Sequence, residues 1–133
     1  QAAFLRVKLA KLDEWNQRRR LIANVYLQEL ASLSGLILPN IPDYSDPVWH
    51  LFVIRHPERE KFQESLKAAG IGTLIHYPIP PHLSEAYGEM NDLAGKLPIT
   101  ETIAKEVVSL PMGPHLSESD CQFVIKSIQN LYA

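Results

Sequence analysis

Histidine is the side chain of this sequence most suited to acid–base or hydrogen-bonding chemistry near neutral pH. His76 ends a predicted strand and is followed by Tyr77, by the segment Pro78-Ile79-Pro80-Pro81 and then by His82. This segment must be a stiff loop, because proline does not continue a helix or a central strand. A scaffold commonly presents polar groups to a ligand where a strand ends in such a loop. We therefore predict a functional role for His76 and Tyr77.

The spacing of the histidines gives little support to a metal centre. The five histidines are His50, His56, His76, His82 and His115, and no two have the i, i+4 spacing of a helical zinc site. His76 and His82 can in principle share a metal, but third and fourth ligands are not evident. His56 and His115 adjoin helix starts and are interpreted as solvent-facing. For His50, a structural and a functional role both stay open.

The other reactive side chains do not form a recognisable catalytic set. Ser109 and Cys121 lack the context of a nucleophile elbow, and Cys121 is predicted to be a small buried residue of the last helix. Gly70-Ile71-Gly72 is not a phosphate loop, because no helix is predicted to start after it. The run Arg18-Arg19-Arg20 can contact phosphate or acidic partners. A solvated helix face, or a contact with a neighbouring domain, is the favoured interpretation of that run.

The overall composition excludes several classes of function. The chain has 133 residues, of which 46% are hydrophobic and 21% charged, and its net charge is -2, as is typical of one globular domain. This charge provides no basic field for a nucleic-acid backbone or an anionic membrane surface, so neither partner is expected. No apolar run is long enough to cross a bilayer. The single cysteine excludes an internal disulfide and suits a reducing cytoplasm, where we expect the protein to reside.

The elements that must position these residues follow from periodicity and from helix-breaking residues. Residues 2–33 contain no proline or glycine and place apolar side chains three or four residues apart, which predicts one long helix. Such a helix at the start of a chain looks like the continuation of an upstream domain. Aromatic and β-branched residues predict strands over residues 48–55 and 72–77, with a helix over residues 57–69 between them.

The C-terminal half is predicted to add a helix, an edge strand and a final helix. Pro98 can start a helix through about Val108, residues 109–112 are typical of an edge strand, and Ser117 caps the last helix. The side chains predicted to face inward on these two helices are Ile99, Ile103, Ala104, Val107, Phe123, Val124, Ile128 and Leu131. The predicted fold class is α/β (α+β), a small sheet of about three strands covered by helices, with a long N-terminal helix.

The sequence resembles the C-terminal part of the DegT/StrS-type sugar aminotransferases over nearly its whole length and in the same motif order. The segments that carry the resemblance are Gln1–Leu9, Leu12–Asn16, Arg18–Arg20, Trp49–Arg55, Gly70–His82 and Ser109–Met112. Within this family, the chain looks most like the transaminases that aminate dTDP-linked 3-keto-6-deoxyhexoses.

The resemblance implies the fold of the type I pyridoxal 5'-phosphate (PLP) enzymes, with active sites formed between the subunits of a homodimer. It implies that glutamate donates an amino group to the cofactor, which passes it to a nucleotide-linked keto-6-deoxyhexose in nucleotide-sugar biosynthesis. Residues 1–133 then correspond to the C-terminal small domain, with residues 1–34 leading in from the large domain and residues 48–133 forming the sheet-and-helix body.

The resemblance also assigns candidate site residues to this domain. His76 matches the family's histidine near the sugar and the cofactor, and Tyr77 and His82 lie on the same loop. All three are therefore expected to bind substrate. An imidazole at this place can form a hydrogen bond with a sugar hydroxyl or a phosphate oxygen.

The chain departs from the family because the cofactor-binding large domain is missing from it. The family's Schiff-base lysine lies in a Ser-Phe-containing motif, and no lysine of this sequence stands in that context. The lysines are Lys8, Lys11, Lys61, Lys67, Lys96, Lys105 and Lys126. The 133 residues alone are therefore expected to be inactive and to bind no PLP.

Two other interpretations stay open from the sequence. The chain can be a free-standing interaction or regulatory module that kept the fold and lost the chemistry, with the long amphipathic helix as an exposed docking surface. It can also be an independent hydrolase that uses the histidines, although no nucleophile or metal set supports this.

Overall fold

Helices make up most of the regular structure, and a small sheet lies between them. The computed structural model describes residues 1–132, except for the side chain of Asn91. The helices are α1 (Ala2–Leu9), α2 (Leu12–Glu29), α3 (Arg59–Ala68), α4 (Pro98–Glu106) and α5 (Glu118–Asn130), and the strands are β1 (Phe52–Arg55) and β2 (Val107–Leu110). Two short 3-10 segments, Pro81–Leu83 and Glu85–Leu93, lie between α3 and α4. Within the described residues, no helix is both long enough and apolar enough to cross a membrane.

β2 forms backbone pairs on both of its edges. It pairs with β1 in antiparallel fashion, with Phe52 opposite Leu110. On its other side, a single bridge joins Ser109 to Leu74. All four residues of β2 are buried, whereas the sequence predicted an edge strand that begins two residues later. The strand starts at Val107 because two consecutive β-branched valines favour extended backbone over the end of a helix.

The predicted strand over residues 72–77 is the main correction to the sheet. Leu74 exchanges two backbone hydrogen bonds with Ser109, of 2.7 and 3.3 Å, and the pairing does not extend further. Pro78 has no N–H to continue a ladder. The side chain of Leu74 is 65% exposed, so no second layer stabilises this edge. In the described residues the sheet therefore has two strands rather than about three.

The predicted long helix over residues 2–33 is divided into α1 and α2. At the junction, the N–H of Lys11 donates to the carbonyl of Lys8 at 2.9 Å, which is a 3-10 turn within otherwise α-helical backbone. No proline or glycine marks this position in the sequence. α1 buries none of its residues, whereas α2 packs Ile22, Ala23 and Tyr26 into the core. The C-terminal part of the segment is thus a structural component of the body.

The core lies between α2, the sheet, α3 and α5. The rings of Tyr26 and Trp49 both pack against Phe52, with centroid distances of 5.0 and 5.3 Å. The hydroxyl of Tyr26 donates to the carbonyl of Pro111 at 2.9 Å, so its polar group is paired although the residue is buried. Further core residues are Leu30, Ile54, Phe62, Leu66, Ile71, Val108, Val124, Ile125 and Ile128.

The last helix begins as the sequence predicts. The Ser117 hydroxyl accepts a hydrogen bond from the N–H of Asp120 at 3.0 Å, which satisfies one of the free donors of the first turn. Val124 and Ile128 are buried as predicted, but Phe123 is 54% exposed and Leu131 is also exposed. Cys121 is buried as predicted, and Ile125 faces inward instead of Phe123 and Leu131, because the buried stripe of α5 runs through residues 121, 124, 125 and 128.

The helix from Pro98 buries less than the sequence predicts. Ala104 is the buried residue of α4, whereas Ile99 and Ile103 are exposed. Val107 is buried as predicted, but as the first residue of β2. The helix lies on the outside of the molecule, so only a narrow stripe of it faces the sheet.

The backbone before β1 adopts a conformation that the sequence does not indicate. Trp49 has a φ of +53°, a left-handed conformation that bulky residues rarely adopt and that costs about 1–3 kcal/mol. This turn directs the Trp49 side chain into the core and leaves His50 exposed. Packing of Trp49 on Phe52 stabilises the arrangement. As a result, the strand begins at Phe52 and not at residue 48.

Candidate functional site

His76 lies at the start of the proline loop, next to a buried serine. Its Nδ1 is 2.9 Å from Oγ of Ser109, which lies on β2. Ser109 is one of the two buried polar residues of the described chain. Because Nδ1 is engaged by this hydroxyl, Nε2 is the ring nitrogen that remains for a ligand. The strand therefore fixes the orientation of the imidazole.

Tyr77 presents its ring to solvent beside this imidazole. It is 76% exposed, and its ring meets that of His76 edge to face, with a centroid distance of 5.7 Å and an interplanar angle of 85°. A phenol hydroxyl and an imidazole nitrogen are both hydrogen-bonding groups for a sugar or a phosphate. The two residues thus form a polar pair at the surface.

His82, at the other end of the loop, is in a different environment. It is only 4% exposed, and its Nε2 lies 3.2 Å from Oε1 of Glu101 on α4. The same carboxylate oxygen accepts a hydrogen bond from the N–H of Gly95 at 2.8 Å. These contacts attach the end of the proline loop to α4.

The structure therefore separates the three residues predicted to bind substrate. Tyr77 is exposed, His76 is half-buried and His82 is buried. His76 and His82 have different hydrogen-bond partners, so they do not share a common ligand in this arrangement. Across residues 1–132, no three His, Cys, Asp or Glu side chains are grouped so that they can hold a metal ion.

The partners of the two histidines were missed by sequence reasoning. Ser109 was considered only as a nucleophile, although a lone serine within the apolar run Val107–Leu110 is a signal of a buried hydrogen bond. Glu101 lies in the first turn of α4, where acidic residues are common because they interact favourably with the helix dipole. Nothing in the sequence distinguishes it from such a residue.

The Glu101 carboxylate makes the stability of the loop dependent on pH. Hydrogen bonding to His82, with a smaller contribution from the N–H of Gly95, holds the pKa of Glu101 below its ordinary value of 4.5. A carboxyl with a lowered pKa stabilises the fold above its unfolded pKa, and this contribution disappears as pH falls through the folded pKa. We expect Glu101→Gln to reduce the free energy of unfolding at neutral pH, with a difference from the wild type that shrinks below pH 4.5.

Urea denaturation of both proteins across this pH range measures the effect. His82→Leu serves as the companion variant, because it removes the ring nitrogen that lies 3.2 Å from Oε1 of Glu101. Identical pH dependence of unfolding in the wild type and Glu101→Gln would contradict the assignment.

A second group of polar side chains lines a cavity of about 480 Å3 beside α2. The lining residues are Trp15, Arg19, His50, Met112, Gly113, Pro114 and His115. A Cβ added at Gly113 would lie 2.6 Å from Cε1 of His115, so only glycine lets this imidazole lie against the loop after β2. This cluster was not predicted from the sequence, because its members come from three separate segments.

Two further candidates have structural roles. Burial raises the pKa of the Cys121 thiol, so the thiol stays protonated. Cys121 is therefore a buried packing residue, as the sequence predicts. His56 accepts a hydrogen bond from the N–H of Glu58 at 3.1 Å and stacks on Phe62 with a centroid distance of 4.8 Å. His56 adjoins the start of α3 as predicted, but it is half-buried rather than solvent-facing.

Comparisons with known proteins cover almost the entire chain. Residues 1–129 match the model of the DegT/DnrJ/EryC1/StrS aminotransferase family. The erythromycin biosynthesis sensory transduction protein EryC1 of Saccharopolyspora erythraea is 47% identical over 97% of this chain and 35% of its own length. The dTDP-3-amino-3,4,6-trideoxy-α-D-glucose transaminase of Streptomyces venezuelae is also 47% identical, over 97% of this chain and 34% of its own length. The chain thus spans about a third of the length of these relatives.

Solved structures extend the similarity to three dimensions. Streptomyces venezuelae DesV, in complex with a ketimine intermediate, has a TM-score of 0.96 and 46% identity over 99% of this chain and 36% of its own. Bacillus subtilis NtdA, with bound cofactor PMP, has a TM-score of 0.77 and 26% identity over 89% of this chain and 28% of its own. The mixed α/β fold described above is therefore part of an aminotransferase fold. The chain belongs to the DegT/DnrJ/EryC1/StrS aminotransferase family.

Proposed function

We propose that this chain is the C-terminal small domain of a PLP-dependent aminotransferase and supplies one side of its substrate cleft. In this proposal, the whole enzyme transfers an amino group from glutamate to a nucleotide-linked keto-6-deoxyhexose during nucleotide-sugar biosynthesis. The observation that carries the proposal is the pair of half-buried His76 and exposed Tyr77 at the surface of a fold that matches DesV with a TM-score of 0.96. The name of the Streptomyces venezuelae transaminase, which contains a dTDP-linked aminodeoxysugar, supports the substrate class.

The lysines of this chain do not fit a PLP site. A Schiff-base lysine is activated by desolvation or by a neighbouring cation, which favours the neutral amine. All seven lysines are exposed residues, and hydrogen bonds to Glu14 and Glu58 raise the pKa of Lys11 and Lys61, respectively. This supports the proposal that the cofactor belongs to a large domain outside these residues and that the chain alone is inactive. The structural neighbour NtdA holds PMP, which supports PLP as the cofactor of the whole enzyme in this proposal.

Within the proposed cleft, the three loop residues have different tasks. His76 offers Nε2 to a sugar hydroxyl or a phosphate oxygen, while Ser109 holds Nδ1. Tyr77 adds a phenol hydroxyl and an apolar ring face, which sugars commonly contact. His82 acts on the substrate through the loop, because its ring is buried against Glu101. The proposed roles are therefore binding for His76 and Tyr77 and support for His82.

The assembly and the location of the whole enzyme belong to the same proposal. Its active site would be completed by the large domain and by a second subunit of a homodimer in the cytoplasm. α1 exposes apolar side chains, which include Phe4, Leu5 and Val7. This apolar surface supports the proposal that another domain or subunit covers α1 in the complete protein.

A non-catalytic regulatory module is a second candidate function. It is favoured by the name of the Saccharopolyspora erythraea relative, which describes a sensory transduction protein. In this case the exposed apolar face of α1 would contact another protein, and no amino transfer would depend on the chain.

The coding sequence upstream of Gln1 and the longer protein that it encodes test the proposal. We expect that protein to contain a Schiff-base lysine, to retain PLP through gel filtration and to aminate a dTDP-linked keto-6-deoxyhexose with glutamate. Residues 1–133 alone, prepared in the same way, should retain no PLP and show no turnover. A variant of the longer protein with that lysine replaced by alanine is the matched control.

Two results would overturn the proposal or part of it. A translation start directly before Gln1 would mean that the cell makes these residues alone, which favours the regulatory module. A longer protein that binds PLP but leaves every dTDP-keto-6-deoxyhexose unaminated would remove the proposed substrate class.

A further inference from the structure

The cavity beside α2 collects basic nitrogen atoms from three separate parts of the chain. α2 contributes Arg19, the turn before β1 contributes His50, and the loop after β2 contributes His115. No carboxylate lies among the described residues that line it. A cluster of hydrogen-bond donors without a neighbouring carboxylate is suited to bind a phosphate-type anion.

Arg19 differs from the two arginines that flank it. Arg18 donates to the carbonyl of Leu116 at 3.0 Å, and Arg20 donates to Asp46 at 2.7 Å. Arg19 makes no side-chain hydrogen bond among the described residues; its buried Nε lacks a partner, as does that of Arg20, but Arg20 is paired through its terminal nitrogen. A buried N–H without an acceptor is destabilising, and an anion in the cavity would satisfy it. The guanidinium of Arg19 therefore has no internal acceptor among the described residues.

The two histidines are held at the cavity by unusual local backbone. The left-handed conformation of Trp49 leaves His50 exposed at the cavity wall. In the loop after β2, Gly113 provides the space that the imidazole of His115 occupies. Both histidines line the same cavity, and the left-handed Trp49 beside His50 is the kind of strained residue that is often found at functional sites.

We propose that this cavity binds the phosphate or diphosphate group of a ligand, with Arg19 as the main charged donor. His50 and His115 add imidazole donors, and Trp15 forms an apolar wall. Trp15 and Arg19 also line an adjoining cavity of about 580 Å3 along α1, whose other walls include Leu5, Leu9 and Leu12. An apolar part of the ligand can extend into that cavity. The proposal does not depend on the proposed aminotransferase activity, because it concerns direct binding to this chain.

Binding is tested on the chain itself by NMR, with inorganic pyrophosphate as the probe. We expect saturable shifts of the Arg19 Nε–H signal and of the His50 and His115 ring signals. Arg19→Gln should weaken binding by about tenfold or more, because it removes a charge-assisted hydrogen bond. Arg20→Gln is the matched control, since Arg20 is already paired with Asp46 and does not line the cavity. It should change the affinity by less than about twofold.

A parallel titration with dTDP distinguishes the source of the anion. Equal affinity for dTDP and pyrophosphate would support recognition of the phosphates alone. Tighter binding of dTDP, with shifts of Leu5 and Leu9, would support a nucleotide that also occupies the adjoining cavity. The absence of saturable shifts with either probe would overturn the proposal. An equal loss of affinity in Arg19→Gln and Arg20→Gln would also overturn it, because the binding would then reflect overall charge.

Discussion

Replacing Phe52 with alanine is expected to reduce the free energy of unfolding by about 3–5 kcal/mol, as is typical for a large aromatic residue removed from a core. Phe52 is 0% exposed and lies opposite Leu110 in the sheet. Its ring contacts both Tyr26 and Trp49, so the cavity left behind would border three elements of the fold. Few residues of the chain connect so many parts of the core.

Urea denaturation followed by circular dichroism measures this loss. Phe123→Ala is the matched control, because Phe123 is exposed on α5, and its cost should stay within about 0.5 kcal/mol. If Phe52→Ala does not fold, Phe52→Leu provides a smaller step of about 1.5 kcal/mol. Equal costs for the alanine variants at positions 52 and 123 would show that the aromatic cluster is not the centre of the core.

Replacing His76 with alanine in the longer protein is expected to lower kcat/KM for the keto sugar by about tenfold to a hundredfold, which corresponds to one hydrogen bond to a charged group. The loss should be confined to the half-reaction with the sugar. The half-reaction with glutamate provides an internal control, because His76 is proposed to contact the sugar. Rapid-mixing absorbance measurements of the cofactor follow each half-reaction separately.

Ser109 provides a second measurement of the same arrangement. Ser109→Ala should reduce kcat/KM for the sugar, because Nδ1 of His76 loses the hydroxyl that orients the ring. Ser109→Thr keeps a hydroxyl and should recover much of the activity. If Ser109→Ala acted only by leaving a cavity in the core, the threonine variant would not be expected to recover activity. Ser65→Ala, at an exposed position of α3, is the matched control. An unchanged kcat/KM in His76→Ala, or equal losses in both half-reactions, would contradict the proposed role of His76.

The sequence predicted those features of the fold that depend on short-range interactions. Ser117 marks the start of α5 because its hydroxyl caps a turn only three residues long. Gly70 follows α3 with a φ of +81°, a conformation that glycine adopts without the steric cost of a Cβ. The proline loop is likewise determined by the ring of proline itself. In each case the physical cause lies within a few residues.

Boundaries that depend on distant contacts were predicted less well. The division between α1 and α2 has no local signal, and α1 buries none of its residues within the described chain. The strand predicted over residues 72–77 needs a continuous partner, and it meets β2 only at Leu74. Alternation of apolar residues reports a tendency to form a strand, but the number of paired residues depends on the rest of the sheet.

In the candidate site, too, some features depend on local sequence and others depend on contacts between distant segments. The sequence alone determined the identity of the loop, the presence of His76, Tyr77 and His82 on it, and the resemblance to a family that the comparisons confirm. Only the tertiary structure decided which of these residues can meet a ligand. Ser109 lies 33 residues from His76, and Glu101 lies 19 residues from His82, yet these partners orient one ring at the surface and bury the other. Local sequence sets backbone preference over a few residues, whereas burial and hydrogen-bond partners arise only when distant segments pack together.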